Sequence, residues 1–280
     1  MSRFSRGLRL ARQSWALLRA HGGLMGFPVL GAVLALVVVA PPAVAGAYLL
    51  DEGDTVPGVA LLVVAAYVVS FVSAFVGVGL AAAAAAALRG EPAGLGQGLG
   101  VAMSRLGAIS GWALVTAVLS ILLRVLESRS ELAGIAAALV GGAWSVISLL
   151  AIPAIALEGL GPIAAIRRSA SLFKEHWPGQ ITGMAAIGGA VFLFVMLPAI
   201  VLIVIGALIV SDEGGAGIAG EILIGLGLVL FAVGAVFGSA LRQVFAVVLY
   251  RFTTSGHAPQ GFSDEDLRSA VRTRGSIASA

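Results

Sequence analysis

The chain has 280 residues, of which 59% are hydrophobic and 11% charged, and its mean hydropathy is +1.05. An ordinary soluble domain carries roughly a quarter charged residues. A soluble fold of this composition lacks the side chains to cover its surface, and a disordered chain is excluded by the same numbers. There is no cysteine, which removes disulfides, thiolate metal sites and cysteine nucleophiles. The 17 basic and 14 acidic residues leave a net charge of +3, too small an excess to mark a nucleic-acid binder.

The N-terminal segment is amphipathic. Phe4, Leu8, Ala11, Trp15 and Leu18 recur at helical spacing, with Arg6, Arg9, Arg12 and Arg19 around the rest of the helix. The pattern predicts an interfacial helix over 3–19, with Trp15 at headgroup depth and the arginines facing anionic lipid at the cytoplasmic surface.

Six stretches then lack formal charge: 20–50, 55–88, 106–123, 132–157, 176–211 and 222–241. A helix rising about 1.5 Å per residue needs roughly 20 residues to cross the hydrocarbon, where backbone groups must be satisfied internally. The expected fold is all-α, a polytopic bundle of six transmembrane helices with cytoplasmic interfacial helices, forming one transmembrane domain over 1–255. The small residues Ala43-Val44-Ala45 resemble a cleavage site, but the apolar stretch before them is longer than a signal peptide's, so a retained first span is expected. Joined in order, the loops fall into two sets. One carries 15 basic and 6 acidic residues, the other 2 basic and 8 acidic. Basic loops mark the cytoplasmic side, which places both termini there and the protein in the plasma membrane as a multi-pass chain.

Between the fourth and fifth stretches lies a second amphipathic segment, 162–177. Ile163, Ile166, Ala170, Phe173 and Trp177 share a stripe, flanked by Arg167, Arg168, Lys174 and Glu175. It aligns with the N-terminal segment at an offset of 155, which sets Ser14 on Ser169 and His21 on His176. The stretch 95–105 is a weaker third copy, so three units of one interfacial helix and two spans are expected. The glycine run 94–100 within it reads as a flexible connector. In the polar tail, 256–280, Ser263 and Asp266 form a capping box for a short helix.

Little in the chain carries chemistry. No histidine has a second ligand at i, i+4 spacing, no serine sits in a nucleophile elbow, and no glycine run matches a phosphate loop. No catalytic residue, metal or cofactor is assigned. Small residues four apart, among them Gly107 with Gly111 and Gly234 with Gly238, read as helix contacts inside the bundle. The most informative charge is Arg242. Eight residues separate it from Arg251, which places it about 13 Å of helix rise inside that point. A charge at that depth snorkels or pairs, and Glu158 is the acid expected to share a cavity or a structural pair with it.

Taken together, Phe4 to Ala11, Phe27-Pro28-Val29-Leu30, Leu88-Arg89-Gly90-Glu91, Leu126-Glu127, Trp144, Pro153, Glu158, the stretch from Pro162 to Trp177 and Leu249-Tyr250-Arg251 carry a resemblance. The chain resembles an uncharacterised family of prokaryotic six-span integral membrane proteins. It is distantly similar to the membrane domain attached to some glycerophosphodiester phosphodiesterases, without their catalytic domain. The resemblance implies architecture and no activity. The expected function is therefore non-catalytic: organising lipids, chiefly anionic headgroups, or protein partners at the cytoplasmic face. The alternative is a carrier or channel for a lipid or small amphiphile. An internal cavity reaching Arg242 speaks for the carrier, and a closed bundle for the organiser.

Overall fold

The computed structural model describes residues 14, 16, 19, 20, 22–176, 192–211, 217–257 and 259. Arg6, Arg9, Arg12, Trp15, Trp177, His21 and the capping box of Ser263 and Asp266 lie outside the described residues, as does most of the predicted helix 3–19.

Among the described residues the protein is all-α, with nine helices: α1 (Gly22–Asp51), α2 (Thr55–Ala87), α3 (Leu95–Ser104), α4 (Leu106–Glu127), α5 (Glu131–Ser148), α6 (Ala151–Glu158), α7 (Pro162–His176), α8 (Leu197–Ser211) and α9 (Gly217–Ser255). Four of them, α1, α2, α4 and α9, are long and apolar enough to cross a membrane, where the uncharged stretches predict six. The fourth stretch is divided at Leu149 and Leu150 into α5 and α6. Pro153 explains the break: its ring excludes helical geometry at the carbonyl four residues earlier, that of Leu149, and its missing N–H is tolerated in the first turn of α6. The fifth stretch is described from residue 192 onward, as a π-helical segment Phe192–Met196 running into α8.

Contacts between loop residues sort the helix ends. A Cβ on Gly23 would lie 2.7 Å from Gly94, one on Gly159 would meet the Arg105 guanidinium, and one on Gly111 would meet Pro162 at 3.0 Å. The C-terminal ends of α6 and α9 meet through Glu158 and Tyr250. The start of α1 and α4 and the ends of α2, α6 and α9 therefore share one end of the bundle, which also holds Arg89, Arg105, Arg168 and Arg251. Together α5 and α6 traverse it from the opposite, acidic end.

The buried core is concentrated at the basic end. Val78, residues 80–88, residues 154–156 and residues 244–250 are buried, with Leu24, Phe27 and Phe173 against them. The seven consecutive alanines 81–87 are all buried. In hydrocarbon, helices gain nothing by hiding apolar surface from lipid, so close backbone approach and van der Waals contact hold them together, and small residues permit both. Towards the acidic end the helices pair as hairpins: Gly46 lies against Gly58, and Gly206 against Gly220. The outward surface there is Val and Leu, with Val56 81% and Leu132 80% exposed.

The run 94–100 is no connector. From Leu95 it forms α3, and Gly98 packs so tightly on α2 that a Cβ would overlap the Gly79 carbonyl oxygen. Tertiary contact overrides the low helix propensity of its glycines. Of the small-residue pairs, Gly111 meets Pro162 and Gly234 meets Val195, whereas a Cβ on Gly107 would meet nothing.

Local features recur along the chain, at offsets that differ from one to the next. Ser14 and Ser169 are both fully buried. A π-helical segment precedes a proline by the same step in two units: Ala35–Val39 before Pro41, and Phe192–Met196 before Pro198. Each proline deprives an earlier carbonyl of its i+4 donor, and i+5 bonding, as from the Ala40 N–H to the Ala35 carbonyl, re-partners the turn. Gly58, Ala65 and Val72 of α2 are buried at the same seven-residue spacing as Gly220, Gly227 and Gly234 of α9. Glycines of positive φ follow α2, α1, α6 and α9: Gly90, Gly53, Gly159 and Gly256. At the first, the Glu91 and Gly90 N–H groups bond the Ala86 and Ala87 carbonyls in a Schellman motif.

Candidate functional site

Above the packed floor at the basic end, the helices part around a cavity of about 660 Å³. Phe27, Gly31 and Ala35 of α1 line it, with Ser70, Ser73 and Gly77 of α2, Trp112 and Thr116 of α4, Trp144, Ser145 and Ser148 of α5, Ile152 of α6, and Ser239, Arg242 and Gln243 of α9. That volume falls within the range of single-ligand pockets, about 300–1,000 Å³. The Trp112 and Trp144 rings stack, with centroids 5.6 Å apart and planes 15° from parallel.

The walls are apolar with hydroxyl groups, and most of these are satisfied within their own helices. Ser70 donates to the Ala66 carbonyl at 2.8 Å, Thr116 to Trp112 at 2.9 Å, Ser148 to Ser145 at 3.3 Å and Ser239 to Val236 at 2.7 Å. Such back-bonding is how an isolated hydroxyl is accommodated in an apolar helix. The floor differs. Among the described residues Arg242 is the one formally charged residue in the lining, and no carboxylate pairs with it. Beside it, Gln243 Nε2 is buried and has no acceptor among the described residues. An intramembrane cation costs at least about 2.5–3.5 kcal/mol when its surroundings are apolar, so an unpaired one facing a cavity marks a place for a negative partner or for water.

Glu158 is not that partner. Its carboxylate accepts from Arg168 at 3.3 Å and from the Tyr250 hydroxyl. The expected cavity or pair of Arg242 with Glu158 is thus replaced by two separate sites. Tyr250 lies eight residues after Arg242, about 12 Å along α9, and the buried turn that begins at Val244 intervenes.

On α7, the residues buried against the bundle are Ala165, Ser169, Leu172 and Phe173. The apolar stripe is rotated from this face, and Ile163 remains 55% exposed. Of the expected lipid-contacting cations, Arg167 and Lys174 are exposed, and Arg168 turns to Glu158. In the loop after α2, Arg89 forms an ion pair with Glu91. Its hydrogen bonds, and then its charge and that of Arg251, hold the Glu91 carboxyl below the usual carboxylate range.

Gln243 and the Trp112–Trp144 stack were not singled out as site residues by sequence reasoning. An amide directly after an intramembrane arginine was the available signal for Gln243. Nothing local could announce a stack formed across two helices.

Four long apolar helices converging on one packed end define a multi-pass helical membrane protein. The chain belongs to the family of unknown function DUF6159, whose pattern matches residues 56–262. Comparison with curated proteins and with solved structures finds no match, and nothing links the chain to the phosphodiesterases.

Proposed function

We propose that this protein crosses the plasma membrane six times, α5 and α6 together making the fourth crossing, with both termini cytoplasmic, and that it is a non-catalytic carrier which binds a lipid or small amphiphile in the cavity at Arg242. The single observation that carries this reading is the cavity itself: an apolar, hydroxyl-dotted space between spans whose floor holds a guanidinium unpaired among the described residues. The orientation rests on the collection of basic residues at one end of the bundle. A second reading, organisation of anionic lipid or protein partners at the cytoplasmic face, is favoured by α7, where Ile163, Arg167 and Lys174 are exposed on one interfacial helix.

Native mass spectrometry of the full chain in mild detergent separates the two. The carrier reading expects one amphiphile per chain that survives delipidation in the wild type and is lost in Ser73→Phe, where the new ring fills the cavity. Retention of no such molecule by either protein, with loose lipid lost on Arg167→Gln/Lys174→Gln, favours the organiser.

A further inference from the structure

Resting on that reading, we infer that the cavity takes an amphiphile with an acidic head, a carboxylate or a phosphate, and that Arg242 and Gln243 hold the head at the cavity floor. Among the described residues the lining contains a cation and no acid. Two carboxylates at the basic end are already engaged, Glu158 by Arg168 and Tyr250, and Glu91 by Arg89. Gln243 adds a second donor without an acceptor, on the residue adjoining Arg242. Guanidinium and amide N–H groups can only donate, so what completes them is an acceptor, and an anionic oxygen is the strongest one. The remaining polar groups fit the same head. The Ser73 and Ser145 hydroxyls line the cavity and make no hydrogen bond among the described residues, so their protons are available.

Alternative heads fit less well. A quaternary ammonium needs an acid or an aromatic cage, and the described lining has no acid. Its two tryptophans lie nearly parallel and cover one another's faces instead of enclosing a cation. An uncharged alcohol leaves the guanidinium without a counter-charge. The volume of about 660 Å³ is that of a single-ligand pocket and accommodates an acyl chain with a compact head. Phe27, Ala35, Val69 and Ala235 supply the apolar wall along which that chain lies.

The test uses the full chain in nanodiscs with four sixteen-carbon probes: hexadecanoate, hexadecyl phosphate, hexadecanol and hexadecylphosphocholine. The wild type is expected to bind the two anions at least tenfold more tightly than the alcohol or the zwitterion. Arg242→Gln removes that preference and leaves hexadecanol binding within twofold. Gln243→Leu, which keeps the charge, lowers anion binding by a smaller factor and guards against a folding defect at Arg242. Equal binding of all four probes by the wild type overturns the acidic-head assignment and leaves an amphiphile site standing. Displacement of hexadecyl phosphate by millimolar inorganic phosphate, without dependence on chain length, overturns the amphiphile in favour of a free anion. Absence of binding for every probe, unaffected by Ser73→Phe, overturns the carrier reading itself.

Discussion

The Tyr250 hydroxyl donates a hydrogen bond to the Glu158 carboxylate across 92 residues of sequence, joining the C-terminal ends of α9 and α6. Arg168 of α7 reaches the same carboxylate oxygen, so three helices meet on one acceptor. Tyr250 is 2% exposed, and hydrogen bonds to charged groups are worth about 1.5–3 kcal/mol. Tyr250→Phe should lower stability by about 1.5 kcal/mol, read as a fall in the thermal midpoint in detergent. Glu158→Gln keeps an acceptor for Tyr250 and gives up a solvent-exposed ion pair of small value, so its effect should be the smaller. The reverse order would place the weight of the junction on Arg168.

Three glycines of α3 separate packing from propensity. Gly98→Ala forces a Cβ into the Gly79 carbonyl oxygen and should cost about 1–3 kcal/mol or more, since backbone must move. Gly96 and Gly100 have nothing within 4 Å of a Cβ. Alanine at either should be neutral or stabilise by up to about 1 kcal/mol through helix propensity. Thermal unfolding of the three variants side by side checks this, and equal effects at all three sites would show that α3 does not pack on α2 through Gly98.

Orientation is directly measurable because the chain has no cysteine of its own. Single cysteines at Asp54 and Ser128, at the acidic end, should react in intact cells with an impermeant maleimide. Cysteines at Ser171 and Thr254 should react only after the membrane is opened. Labelling of Thr254 in intact cells would reverse the orientation.

The Arg89–Glu91 pair predicts an acid-side pH dependence. Because the folded carboxyl of Glu91 is held below its ordinary range, chiefly by hydrogen bonds from Arg89, its contribution to stability is full above the unfolded carboxylate value. That contribution is lost as the pH falls through the folded value. A Glu91→Gln variant should therefore show a flatter stability profile on the acid side of the ordinary carboxylate range than the wild type, and the two should run parallel above it. Parallel curves throughout would show that the pair has no differential effect on folding.

The amino-acid order alone determined that the protein is α-helical and built for hydrocarbon, where the four long apolar helices lie among six uncharged stretches, and which ends carry the cations. Each of these follows from one-dimensional quantities, namely the lengths of uncharged stretches and the tally of charges between them. The break at Leu149 was also written locally, in Pro153, yet a run of uncharged residues conceals it because charge does not register backbone geometry. The tertiary structure alone decided that Glu158 meets Tyr250 and Arg168 and leaves Arg242 facing a cavity, that Gly98 seats on Gly79, and that Trp112 stacks on Trp144. In a soluble protein, water marks the outward face of every helix, and periodicity then tells which side turns inward. Here lipid is as apolar as leucine, α2 is hydrophobic all round, and the direction in which each side chain points is settled by shape when the helices pack.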